Sequence, residues 1–239
     1  MKKILIAIVL LLLASLCCAK KEKAGLKLIA LNWTDNEVCQ YQVLIADQVS
    51  GTYKTIIKLA KINEVPVIEL NAVTDVKSVV GEAQDIATVT FRRDNLQPIS
   101  ANREMTSKGT KYSSTINYTK SNASIKMSTP MGEKSLDLPI TANHYDNDEV
   151  TTLLRAVDLK QNEEKEINVV SGLAGSVIPI KIKALGTEKL TVPAGEFECN
   201  KYQLNLVGRQ LNIWYEKTDA RRMIKYLDVA SNMAMELVP

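Results

Sequence analysis

The chain has 239 residues, 30 basic and 27 acidic side chains, a formal charge of +3, four cysteines and a single histidine. So even a charge balance, with no basic run interleaved with aromatic residues, argues against nucleic-acid binding. One histidine and cysteines without metal-ligand spacing argue against a metal centre.

The N-terminus, MKKILIAIVLLLLASLCCAKK, places Lys2 and Lys3 before an apolar run from Ile4 to Leu13. Small residues follow at Ala14, Ser15, Cys17 and Ala19. That is the layout of a secretory leader covering residues 1–19 and cut after Ala19. The apolar run is shorter than the about 20 residues that a spanning helix needs. Cys17 and Cys18 are alternative lipidation sites, although neither follows the small residue that acylation prefers. Residues 20–36 read as a tether and residues 37–239 as one β domain. No second apolar stretch of spanning length follows, so the expectation is an exported protein. It would sit in a bacterial periplasm or against the outer membrane, with at most peripheral or lipid-tethered attachment.

Cleavage leaves Cys39 and Cys199. An oxidising compartment permits a bridge between them, worth about 4–5 kcal/mol in the chain-entropy model. Two buried free thiols are the equal alternative.

Period-two alternation then dominates. In EVCQYQVLIA, Cys39, Tyr41, Val43 and Ile45 share one face against Gln40 and Gln42. GTYKTIIKLA, VPVIELNAVT and DIATVTFRR continue it, and Asp94-Asn95 supplies a turn before Pro98, which suits an edge or the start of the next strand. TKYSSTINYT, NASIKMST and KSLDLPI extend an antiparallel meander. One segment breaks the rhythm: Val150, Leu153, Leu154 and Val157 recur at helical spacing. Asp146 and Glu149 have the spacing of a capping box ahead of that amphipathic helix. Its apolar stripe needs a cover, and a curved sheet supplies one. Strands resume in KEINVVSG, SVIPIKIKALG, TEKLTV, FECNKYQLNLV, LNIWYEK, RMIKYLDV and MAMELV.

The stretch TVPAGEFECNKYQL reads as a hairpin corner: Pro193 suits the first central turn position and Gly195 a positive φ. Cys199 has no histidine near it in sequence, and Lys201 alone is weak grounds for an activated thiol.

TEKLTVPAGEFECNKYQL, followed by IWYEKTDARRMIKYL, resembles the exported bacterial family known as domain of unknown function 3108. RRDNLQPIS, YDND and LLRAV agree in order, and the resemblance spans about residues 37–239. It implies a strongly curved antiparallel half-barrel around a helix packed on the concave face, similar in outline to envelope lipoprotein carriers. It implies no activity and no cofactor.

No serine has a nucleophile elbow, and His144 reads as a surface or capping residue. Asp146, Asp148 and Glu149 read as capping rather than cation-binding groups. The chain is therefore expected to be no enzyme, and to bind an amphiphile or lipid-like ligand. Trp214, Tyr202 and Met223 are the candidate lining. The alternative is a structural or protein-interaction module of the envelope. The Arg92-Arg93 and Arg221-Arg222 pairs read as solvated charges before head-group contacts. An open apolar cavity beneath the helix would favour the ligand; a filled interior with an exposed apolar rim would favour the partner.

Overall fold

The computed structural model describes residues 26–78, 81–206 and 208–239. The leader and the lipidation candidates Cys17 and Cys18 lie outside them.

The first eight strands are β1 (Glu37–Ile45), β2 (Gln48–Ile62), β3 (Val65–Ser78), β4 (Gly81–Arg92), β5 (Pro98–Ser107), β6 (Thr110–Tyr118), β7 (Asn122–Thr129) and β8 (Gly132–Pro139). The short β9 (His144–Asp146) leads into a helical segment: a 3₁₀ turn at Asn147–Glu149, α1 (Val150–Leu153) and a second 3₁₀ turn at Leu154–Ala156. Then come β10 (Glu164–Ser171), β11 (Ser176–Val192), β12 (Gly195–Leu206), β13 (Arg209–Glu216), β14 (Met223–Asp228) and β15 (Met233–Leu237).

All fifteen strands form one sheet, in which two meanders meet where β1 pairs with β15. Its ends are β8 and β9, so the sheet is not closed. Every pairing is antiparallel except that of β9 with β10. The expected curvature is present. A Cβ at Gly172, beside the β10–β11 turn, would fall 2.5 Å from Ser114 Oγ on β6, although many strands separate the two along the sheet.

Local chemistry explains the register. The turns Ala46-Asp47 and Asn63-Glu64 hold both central residues at positive φ, the geometry that suits a twisted two-residue hairpin. Gly51 is required by a close approach: a Cβ there would lie 2.1 Å from the Asp75 carbonyl oxygen. The Pro193-Ala194 corner is also a two-residue connection, since Val192 pairs with Gly195, whose φ is +130°. SVIPIKIKALG and TEKLTV form one strand instead of two. The pairing of β11 with β12 shifts register at Gly186, so the glycine bends the strand without ending it.

The helix is shorter than a full amphipathic helix and is buried on every side but that of Thr151. Val150, Thr152, Leu153, Leu154, Arg155 and Ala156 are all inside, because the segment fills the roll of the sheet. The tether expectation also needs correction in its described part. Leu28 forms a bridge with Val157, Ile29 N–H donates to Ala156 O at 2.8 Å, and Asp158 N–H donates to Lys27 O at 3.0 Å. With Trp33 buried, residues 26–33 strap the end of the helical segment. Among the described residues no helix is long and apolar enough to cross a membrane.

Candidate functional site

Two groups of buried polar side chains lie at the two ends of the helical segment. At its start the capping box forms as the spacing predicted: Asp146 Oδ1 accepts Asp148 N–H, and Glu149 Oε1 accepts Asp146 N–H, both at 2.8 Å. Both carboxyls are buried, at 1% exposure. Tyr118 on β6 donates its phenol proton to Asp146 Oδ2 at 2.5 Å. Arg103 on β5 forks onto Asp85 of β4 and donates to Asp148 Oδ1 at 2.9 Å.

Burial, then the charge of Asp148, pushes Asp146 up to about 7, against the Tyr118 hydrogen bond and Arg103. Burial and then Asp146 hold Glu149 well above the carboxylate range, and its Oε2 has no hydrogen-bond partner. Burial also raises Asp148, against the pull of Arg103.

His144 is not a surface residue. It is buried, its ring stacks on Tyr118 with centroids 5.5 Å apart, and Nδ1 bonds Thr141 O at 2.7 Å. Burial lowers its pKa, so the neutral ring donates from Nδ1 and leaves Nε2 unpartnered. Among the described residues no three His, Cys, Asp or Glu are placed to hold a metal.

The far end of the segment is built differently. Arg155 meets the Glu37 carboxylate with both arms, at 2.6 and 3.0 Å, and also donates to Ala220 O at 2.6 and 3.2 Å. Its guanidinium carbon lies 4.8 Å from the Trp33 ring centroid. Such a fork satisfies a buried cation with geometry that lysine lacks. Tyr215 donates to Thr151 O at 2.6 Å and Tyr202 to Val157 O at 3.1 Å. Arg221 donates to Val157 O at 2.9 Å and to Tyr202 Oη at 3.0 Å, while Arg222 pairs with Glu216 at 2.8 Å. Arg221 is therefore structural, contrary to the solvated reading, whereas Arg222 stays half exposed over the buried Glu216. Arg92 does sit at the surface, paired with Asp94.

The three candidate lining residues do not converge. Tyr202 faces the helical segment. Trp214 pairs in register with Lys201 and so faces the opposite side of the sheet. There it donates to Glu188 and lies under Lys201 Nζ, 4.7 Å from the ring centroid. Trp214 is buried, but outside the concave core; Tyr215 is the aromatic that points inward. Met223 borders a space of about 20 Å³ with Cys39, Tyr53, Thr151 and Arg155.

Cys39 and Cys199 are free and buried, so the bridged alternative is not adopted. Three strands separate β1 from β12, about 19 Å along the sheet, where a disulfide needs Cα atoms within about 7 Å. Burial, then Glu216, Glu188 and Glu198, push the Cys199 thiol up to about 12, the reverse of activation.

The Arg155–Glu37 pair and the Tyr118 and Arg103 bonds escaped the sequence reading. Arg155 sits inside the quoted LLRAV motif, and a cation embedded in an apolar stripe is a legible sign of a buried partner. Nothing local marks Tyr118.

Two solved structures resemble this fold. A β-barrel-like protein of domain of unknown function DUF1849 from Brucella abortus superposes with a TM-score of 0.54 at 10% identity, covering 84% of this chain and 94% of that one. A protein with a YmcC-like fold from Bacteroides fragilis gives a TM-score of 0.39 at 8% identity, covering 88% and 98%. No curated protein matches in sequence. The family described as protein of unknown function DUF3108 matches residues 40–235, taking in both meanders, the helical segment and the Pro193-Ala194 corner. The chain belongs to the DUF3108 family.

Proposed function

We propose that this is an exported, non-catalytic module of the bacterial envelope that acts through contacts at its surface rather than by carrying an amphiphile inside. The observation that carries this reading is the filled concave face. Among the described residues, the hollow between Met223, Tyr53, Thr151 and Arg155 beneath the helical segment is about 20 Å³, room for about one water. Ligand pockets occupy about 300–1,000 Å³. The larger hollows open outward, one of 470 Å³ beside Phe197 and the C-terminal residues, another of 440 Å³ between residues 29–32 and 217–221.

The raised Cys199 thiol and the buried His144 ring support the non-catalytic reading. The leader layout supports export. At the end of the sheet β8 is largely exposed and, among the described residues, has only β7 beside it, an edge to which a partner strand can add by main-chain hydrogen bonds. Lys134 and Pro139 are the edge residues that discourage indiscriminate pairing.

A photo-crosslinking residue at the exposed Ser135 tests this in native envelopes, with exposed Lys58 on the interior strand β2 as control. A discrete adduct from position 135 and none from 58 is expected. Equal labelling from both, or none from either, would overturn the reading.

A further inference from the structure

The start of the helical segment has an architecture that capping alone does not require. No backbone ladder joins β9 to β4, β5 or β6, because β9 lies at one end of the sheet and those strands belong to the other half. Side chains bridge them instead: Tyr118 on β6 to Asp146, and Arg103 on β5 to Asp148, while Arg103 is also anchored to Asp85 on β4. Fully ionised, Asp85, Asp146, Asp148 and Glu149 would set four carboxylates against one guanidinium. Asp146 and Glu149 are sealed from water, and Glu149 Oε2 lacks a hydrogen-bond partner. Charges so placed repel each other and cannot be screened.

We infer that this junction is a proton-operated clasp: it holds β9 and the helical segment against β4, β5 and β6 while its buried carboxyls keep a proton, and it loosens when they lose it. The groups facing it from each packed element are few. Asp85 comes from β4, Arg103 from β5, Tyr118 from β6, and His144 and Tyr145 from β9 itself; Tyr53 on β2 interacts with Asp148 and Asp85. On β10 the residue paired with Asp146 is Val170. Asp146 is the central switch: the Tyr118 phenol and the Asp148 amide donate to its two oxygens and favour its ionised form, but its complete burial beside Asp148 and Glu149 outweighs them. Its ionisation near 7 falls where an exported protein meets varying external pH. His144 works in the opposite sense, because protonating that buried ring disfavours the closed form at low pH. Loosening would part β9 and the helical segment from the other half of the roll and open the concave face. The inference rests on the junction alone and stands whether or not the β8 edge takes a partner.

Amide hydrogen exchange of the mature chain at pH 6 and pH 8, corrected for intrinsic rates, tests it against Asp146→Asn. Protection of residues 144–157 in the wild type, relative to the variant, should fall about tenfold from pH 6 to pH 8 if the Asp146 proton is linked to closure. Taking the ratio to Asp146→Asn cancels the contribution of His144. An unchanged ratio overturns the clasp. Should the variant not fold, carboxyl ¹³C NMR of the wild type decides: a midpoint for Asp146 at about 7 supports the clasp, and one near the ordinary carboxylate value of about 4 overturns it.

Discussion

The two ends of the helical segment bury charge in opposite ways. At the far end Arg155 meets one carboxylate, a backbone carbonyl and an aromatic face, so opposite charges are matched one to one, although Nε of the neighbouring Arg221 has no hydrogen-bond partner. At the near end four carboxyls surround one arginine, and two of them are held by the backbone of the cap itself. The first arrangement sets one cation against one anion; the second crowds carboxyls together and depends on a proton. A buried ion pair fastens, whereas a buried surplus of one sign makes closure conditional.

The largest effect should come from unbalancing the fastened end. Arg155→Met leaves Glu37 half-buried without its cation, and chemical denaturation should show a loss of about 3–5 kcal/mol. A loss under about 1 kcal/mol would mean that Trp33 and the strap hold this end without the pair.

At the near end pH replaces mutation. The folded protein keeps the Asp146 proton up to about pH 7, while the unfolded carboxyl releases it near pH 4. That stability is fully present below about pH 4 and is lost as pH rises through 7, the reverse of an ordinary paired aspartate. Between pH 5 and pH 8 the melting temperature should therefore fall, by an equivalent of about 2–4 kcal/mol. His144 offsets part of this below about pH 6.5, where only the unfolded imidazole gains a proton. In Asp146→Asn the slope should flatten; a slope unchanged by that substitution would contradict the contrast between the ends.

A smaller effect belongs to the middle of the segment. Tyr215→Phe removes the donor to Thr151 O from a fully buried ring and should cost about 1–2 kcal/mol in urea unfolding, with no change in its pH dependence. Least of all should the thiols matter. Cys39 and Cys199 should resist alkylation at pH 8 until the protein unfolds, and labelling of the native chain at the rate of a free thiol would contradict their burial.

Alternation in segments such as Cys39–Ile45, together with turn chemistry at Asp94-Asn95 and Pro193, was enough to place most of the strands, because each such signal is local. The capping box was legible for the same reason, since Asp146 and Glu149 are three residues apart. What the sequence concealed depends on long-range closure. Glu37 and Arg155 are 118 residues apart, and Tyr118 meets Asp146 only because the sheet curls. Trp214 and Tyr215 fall on opposite faces, and alternation alone does not say which of those faces is concave. The strap over the helical segment was hidden similarly, as residues 26–33 carry no strong periodicity of their own.

Native mass spectrometry of the protein purified from its own host cells tests the central claim most directly. A filled interior predicts the bare polypeptide mass. A retained lipid-sized adduct, released on denaturation, would contradict it and restore the carrier reading.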